Sequence, residues 1–135
     1  MNRFIFAAAV MLLSGCATQE RAVTQDEEQA IRDYILVRGL EEVNRIRSSN
    51  RDSWDELDEY FIIYDTRRNT YLVEFNRACY ELNENRVTPD LRWEANTIRA
   101  RSDTIRGCQI DKIFVLTEAD VAELKSLGEL PGSRN

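Results

Sequence analysis

Apolar residues form two β-type runs near the middle of the chain and recur at helical spacing near both of its ends. Residues 60–64 and 71–75 are aromatic and β-branched, as is typical of strands. The polar residues 65–70 between them predict a β-hairpin. Because both runs place apolar residues on both faces, we expect the two strands to lie in the centre of a sheet.

Three further segments have strand-like patterns. Residues 43–47 are expected to form a strand before the hairpin, and residues 98–101 alternate as a half-exposed strand does. Residues 109–116 supply apolar side chains for a last strand.

A helix is predicted before these strands and another after them. The first begins with a capping box, in which Thr24 is the N-cap and Glu27 lies three residues further on. Residues 34–37, which we place in this helix, also fit a strand. The last helix has Thr117 as its N-cap and ends at Gly128.

These elements predict an α+β domain. No strand–helix–strand repeat is found, so a parallel sheet is not expected. We predict a small antiparallel β-sheet, either a meander or a partly open barrel, flanked by N- and C-terminal helices.

The first sixteen residues form a segment of a different kind. Arg3 gives a positive start, and the apolar run 4–13 is shorter than the roughly 20 residues that a spanning helix needs. Residues 13–16, Leu-Ser-Gly-Cys, look like the lipobox of bacterial lipoproteins. That resemblance implies cleavage before Cys16 and acylation of its sulfur, with palmitate among the acyl chains. A plain signal peptide or an N-terminal apolar helix is the alternative.

Two acyl chains on Cys16 would suffice for stable anchoring. This interpretation divides the chain into four parts. We expect a cleaved signal peptide (1–15), a lipidated tether (16–23), a single domain (24–130) and a tail (131–135). Position 17 is Ala and not Asp, which by resemblance to Gram-negative lipoproteins implies sorting to the outer membrane. The domain is therefore expected on the periplasmic face of that membrane.

Two cysteines remain in the expected domain. An even pair in an oxidising compartment predicts a structural disulfide between Cys79 and Cys108. A redox pair is more often separated by two residues, and a zinc site needs about four ligands. We therefore expect no metal and no cofactor.

Composition excludes several classes of enzyme. The 135 residues carry a net charge of −6 and contain no His, so a Ser-His-Asp triad and an HExxH zinc site are both excluded. The acidic balance also argues against a nucleic-acid partner.

Arginines before Cys108 are candidate anion-binding residues, namely Arg99, Arg101 and Arg106. Arg99 and Arg101 share one face if residues 98–101 form a strand. Guanidinium groups bind phosphate and carboxylate groups in a bidentate manner. Polymers of the cell envelope carry both kinds of group. The alternative is an exposed strand face that is paired with nearby acids.

Residues 55–59 form an acidic run. Two of its carboxylates are candidates for a glycosidase pair or for Ca²⁺ ligands, and the alternative is a solvated acidic turn. Trp54 and Trp93 fit either interface anchors or core residues.

Three segments carry a family resemblance. Residues 71–73, 87–90 and 103–110 resemble a family of bacterial envelope lipoproteins that is defined only as a domain of unknown function. The resemblance supports the lipobox and the cysteine pairing, and it implies no activity. We expect a non-enzymatic, lipid-anchored module that contacts an envelope protein or a cell-wall component. The alternatives are a carboxylate-based hydrolase acting on an envelope glycan or lipid, and thiol redox activity.

Overall fold

A computed structural model describes residues 19–49, 51–83 and 96–128. The predicted signal peptide, Cys16, Trp93 and the tail 131–135 lie outside these residues. Within them, no helix is both long enough and apolar enough to span a membrane.

The described chain folds into two helices and eight short strands. Helix α1 is Gln19–Arg38 and helix α2 is Glu118–Gly128, and a 3₁₀ turn covers Tyr80–Asn83. The strands are β1 (Glu42–Val43), β2 (Arg45–Arg47), β3 (Ser53–Glu56), β4 (Phe61–Asp65), β5 (Thr70–Phe75), β6 (Thr97–Arg99), β7 (Thr104–Ile105) and β8 (Cys108–Leu116).

The strands form an open antiparallel sheet and a separate ribbon. The sheet has the order β1-β8-β5-β4-β3, and β7 also pairs with β8. Strands β2 and β6 form the two-stranded ribbon, in which Ile46 lies opposite Ile98. The described residues therefore form an α+β domain with a helix before and after an antiparallel sheet, and they contain no closed barrel. This confirms the predicted fold class.

The predicted hairpin is the centre of the sheet. Strands β4 and β5 pair with Ile62 opposite Val73 and Tyr64 opposite Tyr71. All four residues from Phe61 to Tyr64 are fully buried. A strand that is buried on both faces needs apolar side chains on both, which is why the continuous apolar run indicated a central position.

Each face of the sheet has its own core. On one face, Ile31 of α1 and Leu124 of α2 pack with Phe61 and Leu72, and all four are fully buried. On the other, the ribbon and the cysteines pack against a second set of strand residues that includes Val73. Full burial of a large apolar side chain contributes about 1.5–3 kcal/mol, so both layers stabilise the sheet.

The predicted N-cap of α2 is confirmed. The backbone N–H of Thr117 donates to Oδ2 of Asp120 at 2.9 Å, and the Asp120 N–H donates to the Thr117 hydroxyl at 3.2 Å. This reciprocal pair satisfies donors that the first turn of a helix leaves without partners.

Two boundaries predicted before the hairpin are wrong. Helix α1 begins at Gln19 and not at Thr24, because residues 19–22 (Gln-Glu-Arg-Ala) favour helix and extend it. Most of the predicted tether 16–23 is therefore helical. The predicted strand 43–47 is instead two strands in different sheets, separated at Asn44.

The acidic run also differs from a solvated turn. Its first residues belong to the edge strand β3, in which Trp54 lies opposite Tyr64. Alternate residues of this strand are exposed and half-buried. Because a polar edge strand lacks an apolar run, its sequence resembles a loop.

Candidate functional site

The two cysteines of the domain form the predicted disulfide. Cys79 and Cys108 have a Cα–Cα distance of 5.8 Å, and both are fully buried. The bond joins the segment after β5 to the start of β8. It thereby fixes two chain segments that are 29 residues apart in sequence.

A carboxylate lies beside the disulfide. Glu81 Oε2 is 3.2 Å from Cys108 Sγ, but a disulfide sulfur carries no proton, so this contact is not a hydrogen bond. An ion pair with Arg77 at 2.8 Å holds Glu81 in place and lowers the pKa of its carboxyl group. The three potential ligand atoms of Cys79, Glu81 and Cys108 lie within 4.8 Å of one another. A cysteine sulfur binds metal as a thiolate, however, so this group does not form a metal site while the disulfide is intact.

The ribbon presents three arginines to solvent. Ile46 and Ile98 point into the core, so the alternate residues Arg45, Arg47 and Arg99 point outward, and all three are exposed. Arg45 lies directly opposite Arg99. Within the described residues, none of the three side chains makes an ion pair or a hydrogen bond with a carboxylate. We call this set the arginine face.

The three arginines predicted from the sequence do not form one site. Arg99 belongs to the arginine face, but β6 ends at Arg99, so Arg101 lies beyond the strand with a φ of 64°. Arg101 instead approaches Glu42 at 3.7 Å. The guanidinium of Arg106 lies over the ring of Trp54, 5.5 Å from its centroid. The predicted strand 98–101 therefore ends early, and the condition for Arg99 and Arg101 to share a strand face is not met.

Arg45 and Arg47 were missed as candidates. The signal was present, since Arg-Ile-Arg at 45–47 alternates as a half-exposed strand does. The sequence does not show that this strand pairs with β6. That pairing brings together Arg45 and Arg99, which are 54 positions apart in the chain.

The acidic run divides between solvent and core. Asp55 is exposed and pairs with Lys125 of α2 at 3.1 Å. Asp58 is buried, and its Oδ1 accepts hydrogen bonds from the backbone N–H groups of Tyr60 at 2.7 Å and Phe61 at 2.8 Å. These bonds fix the turn that leads into β4.

Burial has a large effect on Asp58. It raises the pKa of this carboxyl group to about 7, and the negative charges of Glu28 and Glu27 on α1 act in the same direction. The two backbone hydrogen bonds oppose the rise. Oδ2 of Asp58 is buried and has no hydrogen-bond partner among the described residues. The environment therefore favours the protonated acid.

Next to this turn, one arginine holds α1 against the sheet. The guanidinium of Arg32 pairs with Glu28 at 2.9 Å and with the buried Glu74 of β5. The same group lies over the rings of Tyr60 and Phe61, 5.8 and 5.2 Å from their centroids. Glu74 is thus a buried carboxylate whose charge is compensated, which is the arrangement that burial of a charge requires.

Comparison with known proteins gives a family and no activity. No curated protein and no solved structure matches the chain. The family model of DUF6491, described as a family of unknown function, matches residues 1–128. That span covers most of the 135 residues, and so the chain belongs to the family of unknown function DUF6491.

Proposed function

We propose that this chain is a lipid-anchored protein of the bacterial cell envelope that faces the periplasm. In this proposal its domain is a non-enzymatic interaction or structural module. The observation that carries the proposal is the buried disulfide between Cys79 and Cys108. Structural disulfides persist in oxidising compartments and are rare in the cytosol.

The N-terminal sequence supplies the second support. A positive residue, a ten-residue apolar run and the sequence Leu-Ser-Gly-Cys precede α1 in the order of a lipoprotein signal. Acylation of Cys16 anchors the mature chain, because two acyl chains give stable membrane binding. Ala17 favours the outer membrane as the destination.

An anchored domain would lie close to the leaflet. Only residues 17 and 18 separate Cys16 from the start of α1 at Gln19. Three Cα–Cα steps span at most about 11 Å. The start of α1 is therefore expected at the membrane surface.

A labelling experiment tests the proposal. Cells expressing the wild-type chain are fed an alkyne analogue of palmitate, and the protein is isolated and detected by its alkyne label. We expect label on the wild-type chain and none on the Cys16→Ser chain. Cys79→Ser serves as the control, because it removes another cysteine and leaves the lipobox intact. Absence of label from the wild-type chain contradicts the proposal.

One observation favours a second candidate, a carboxylate-based hydrolase acting on an envelope glycan or lipid. General acids have raised pKa values, and the pKa of Asp58 is raised to about 7. Its side chain is buried and engaged in the turn before β4, however, which separates it from substrate. Purified protein is tested on peptidoglycan and lipid esters. Turnover by the wild-type chain that Asp58→Asn abolishes would favour this candidate over our proposal.

A further inference from the structure

Within the part of the chain that the structure describes, the arginine face is an unfavourable arrangement. Arg45 and Arg99 are directly opposed on neighbouring strands, and like charges at such positions are destabilising. Arg47 extends the same face by about 7 Å along the strand. Among the described residues no carboxylate side chain pairs with these three, although the whole chain has six more acidic than basic residues. A negatively charged partner would relieve this repulsion.

We infer that the arginine face docks on the phosphate groups of an anionic lipid leaflet. The inference rests on the proposed anchoring, which brings the domain near the lipid headgroups. It names those headgroups as the partner of the domain. Guanidinium groups offer paired donors that match phosphate oxygens, and the three side chains project outward from one face of a two-stranded ribbon.

The position of the anchor favours a leaflet over a free anion. Because α1 begins within about 11 Å of Cys16, acylation keeps the domain within about one helix length of the headgroups. Confinement raises the effective concentration of those headgroups, so individually weak contacts are sufficient. The net negative charge of the body opposes adsorption, and the ribbon supplies a positive surface. This surface lies on the side of the sheet opposite to the two helices, so docking requires that side to turn toward the leaflet.

Chemical footprinting of the native full-length chain tests this inference. The protein is reconstituted in vesicles of phosphatidylcholine alone or mixed with phosphatidylglycerol, and its arginines are modified with phenylglyoxal and quantified by mass spectrometry. We expect modification of Arg45, Arg47 and Arg99 to be about fivefold slower in the anionic vesicles, and to recover at high salt. Arg67 and Arg68 are exposed at the hairpin tip and serve as internal controls.

Matched variants give a second measurement. The full-length Cys16→Ser chain is titrated with the same two kinds of vesicle, and the ratio of the two affinities is recorded. Any binding through residues 4–13 affects both vesicles and cancels. Replacing the arginine face with Gln is expected to lower the ratio on the order of 100-fold. Replacing Arg51, Arg67 and Arg68 with Gln removes the same charge from other exposed positions and is expected to leave most of the ratio unchanged.

The outcomes separate this inference from the proposed anchoring. Equal modification in both vesicles overturns docking on a leaflet, and so does equal loss in both triple variants. Full competition by inorganic phosphate at constant ionic strength also overturns it. Stronger binding to an acidic polypeptide than to anionic vesicles also overturns it. An unacylated Cys16 in a chain whose arginine face is still protected overturns the anchoring and supports the docking. Circular dichroism of each variant confirms that it is folded.

Discussion

The hydroxyl group of Tyr34 on α1 donates a hydrogen bond of 2.7 Å to Oδ1 of Asp120, the buried carboxylate that also caps α2. Arg38 approaches the same oxygen at 3.0 Å. Burial raises the pKa of Asp120, but the hydrogen bonds from Thr117, Tyr34 and Arg38 outweigh it, so its pKa is lowered. The Asp120 side chain therefore caps the start of α2 and also joins α2 to α1.

Asp120→Ala is expected to destabilise the domain by about 1–2 kcal/mol, since it removes half of the capping pair with Thr117 and the acceptor shared by Tyr34 and Arg38. Chemical denaturation at neutral pH measures this. Glu118→Ala changes an exposed acid in the same turn and is expected to cost less than about 0.5 kcal/mol. Equal effects of the two substitutions would contradict the role given to Asp120.

Asp58 predicts an unusual dependence of stability on pH. Its pKa rises from 3.8 to about 7 on folding, so the folded state binds this proton more tightly than the unfolded state does. The stabilisation is complete below about pH 4 and is lost as the pH rises through about 7, with a total on the order of 4 kcal/mol. The pKa of Asp120 is lowered on folding, so its effect on stability has the opposite dependence on pH. Its contribution is present at neutral pH and is lost as the pH falls below about 4.

Asp58→Asn isolates this effect. An amide oxygen still accepts the N–H groups of Tyr60 and Phe61, but it does not titrate. We expect the unfolding free energy of this variant to change little between pH 5 and pH 8, whereas that of the wild-type chain falls. Asp55→Asn, at an exposed position in the same run, keeps the wild-type slope. A wild-type slope in Asp58→Asn would show that another group is responsible.

The disulfide is expected to account for much of the stability of the domain. Closing a loop of 29 residues contributes about 3–4 kcal/mol in the chain-entropy model. The double variant Cys79→Ala/Cys108→Ala should lose about this amount, and a reductant should no longer affect it. Denaturation of both proteins with and without reductant is the measurement. A double variant as stable as the oxidised wild-type chain would refute the structural role.

The arginine face predicts a substitution that stabilises the domain. Arg45→Gln removes the charge opposite Arg99 and is expected to raise the unfolding free energy by about 0.2–1 kcal/mol at low salt. The gain should shrink as salt screens the repulsion. Arg67→Gln at the hairpin tip is the control and is expected to be neutral. Destabilisation by Arg45→Gln at low salt would argue against repulsion across the ribbon.

The sequence predicts the parts of this fold that local chemistry determines. The hairpin β4–β5 follows from two apolar runs, and the start of α2 follows from Thr117 and its partner Asp120. Strand β3 was missed because its polar edge is compatible with a loop.

The candidate sites depend on contacts between distant parts of the chain. The burial of Asp58 depends on the packing of α1, and the arginine face depends on the pairing of β2 with β6. Arg101 leaves its predicted strand through a positive φ, which side-chain alternation does not indicate. Such features require the tertiary structure.

Intact-mass spectrometry of the native protein tests the central claim most directly. The sample is isolated from membranes without reductant and alkylated to reveal free thiols. Our account predicts a chain that begins at an acylated Cys16 and takes up no alkylating reagent until it is reduced. An unmodified N-terminus together with two alkylated cysteines at positions 79 and 108 would contradict it.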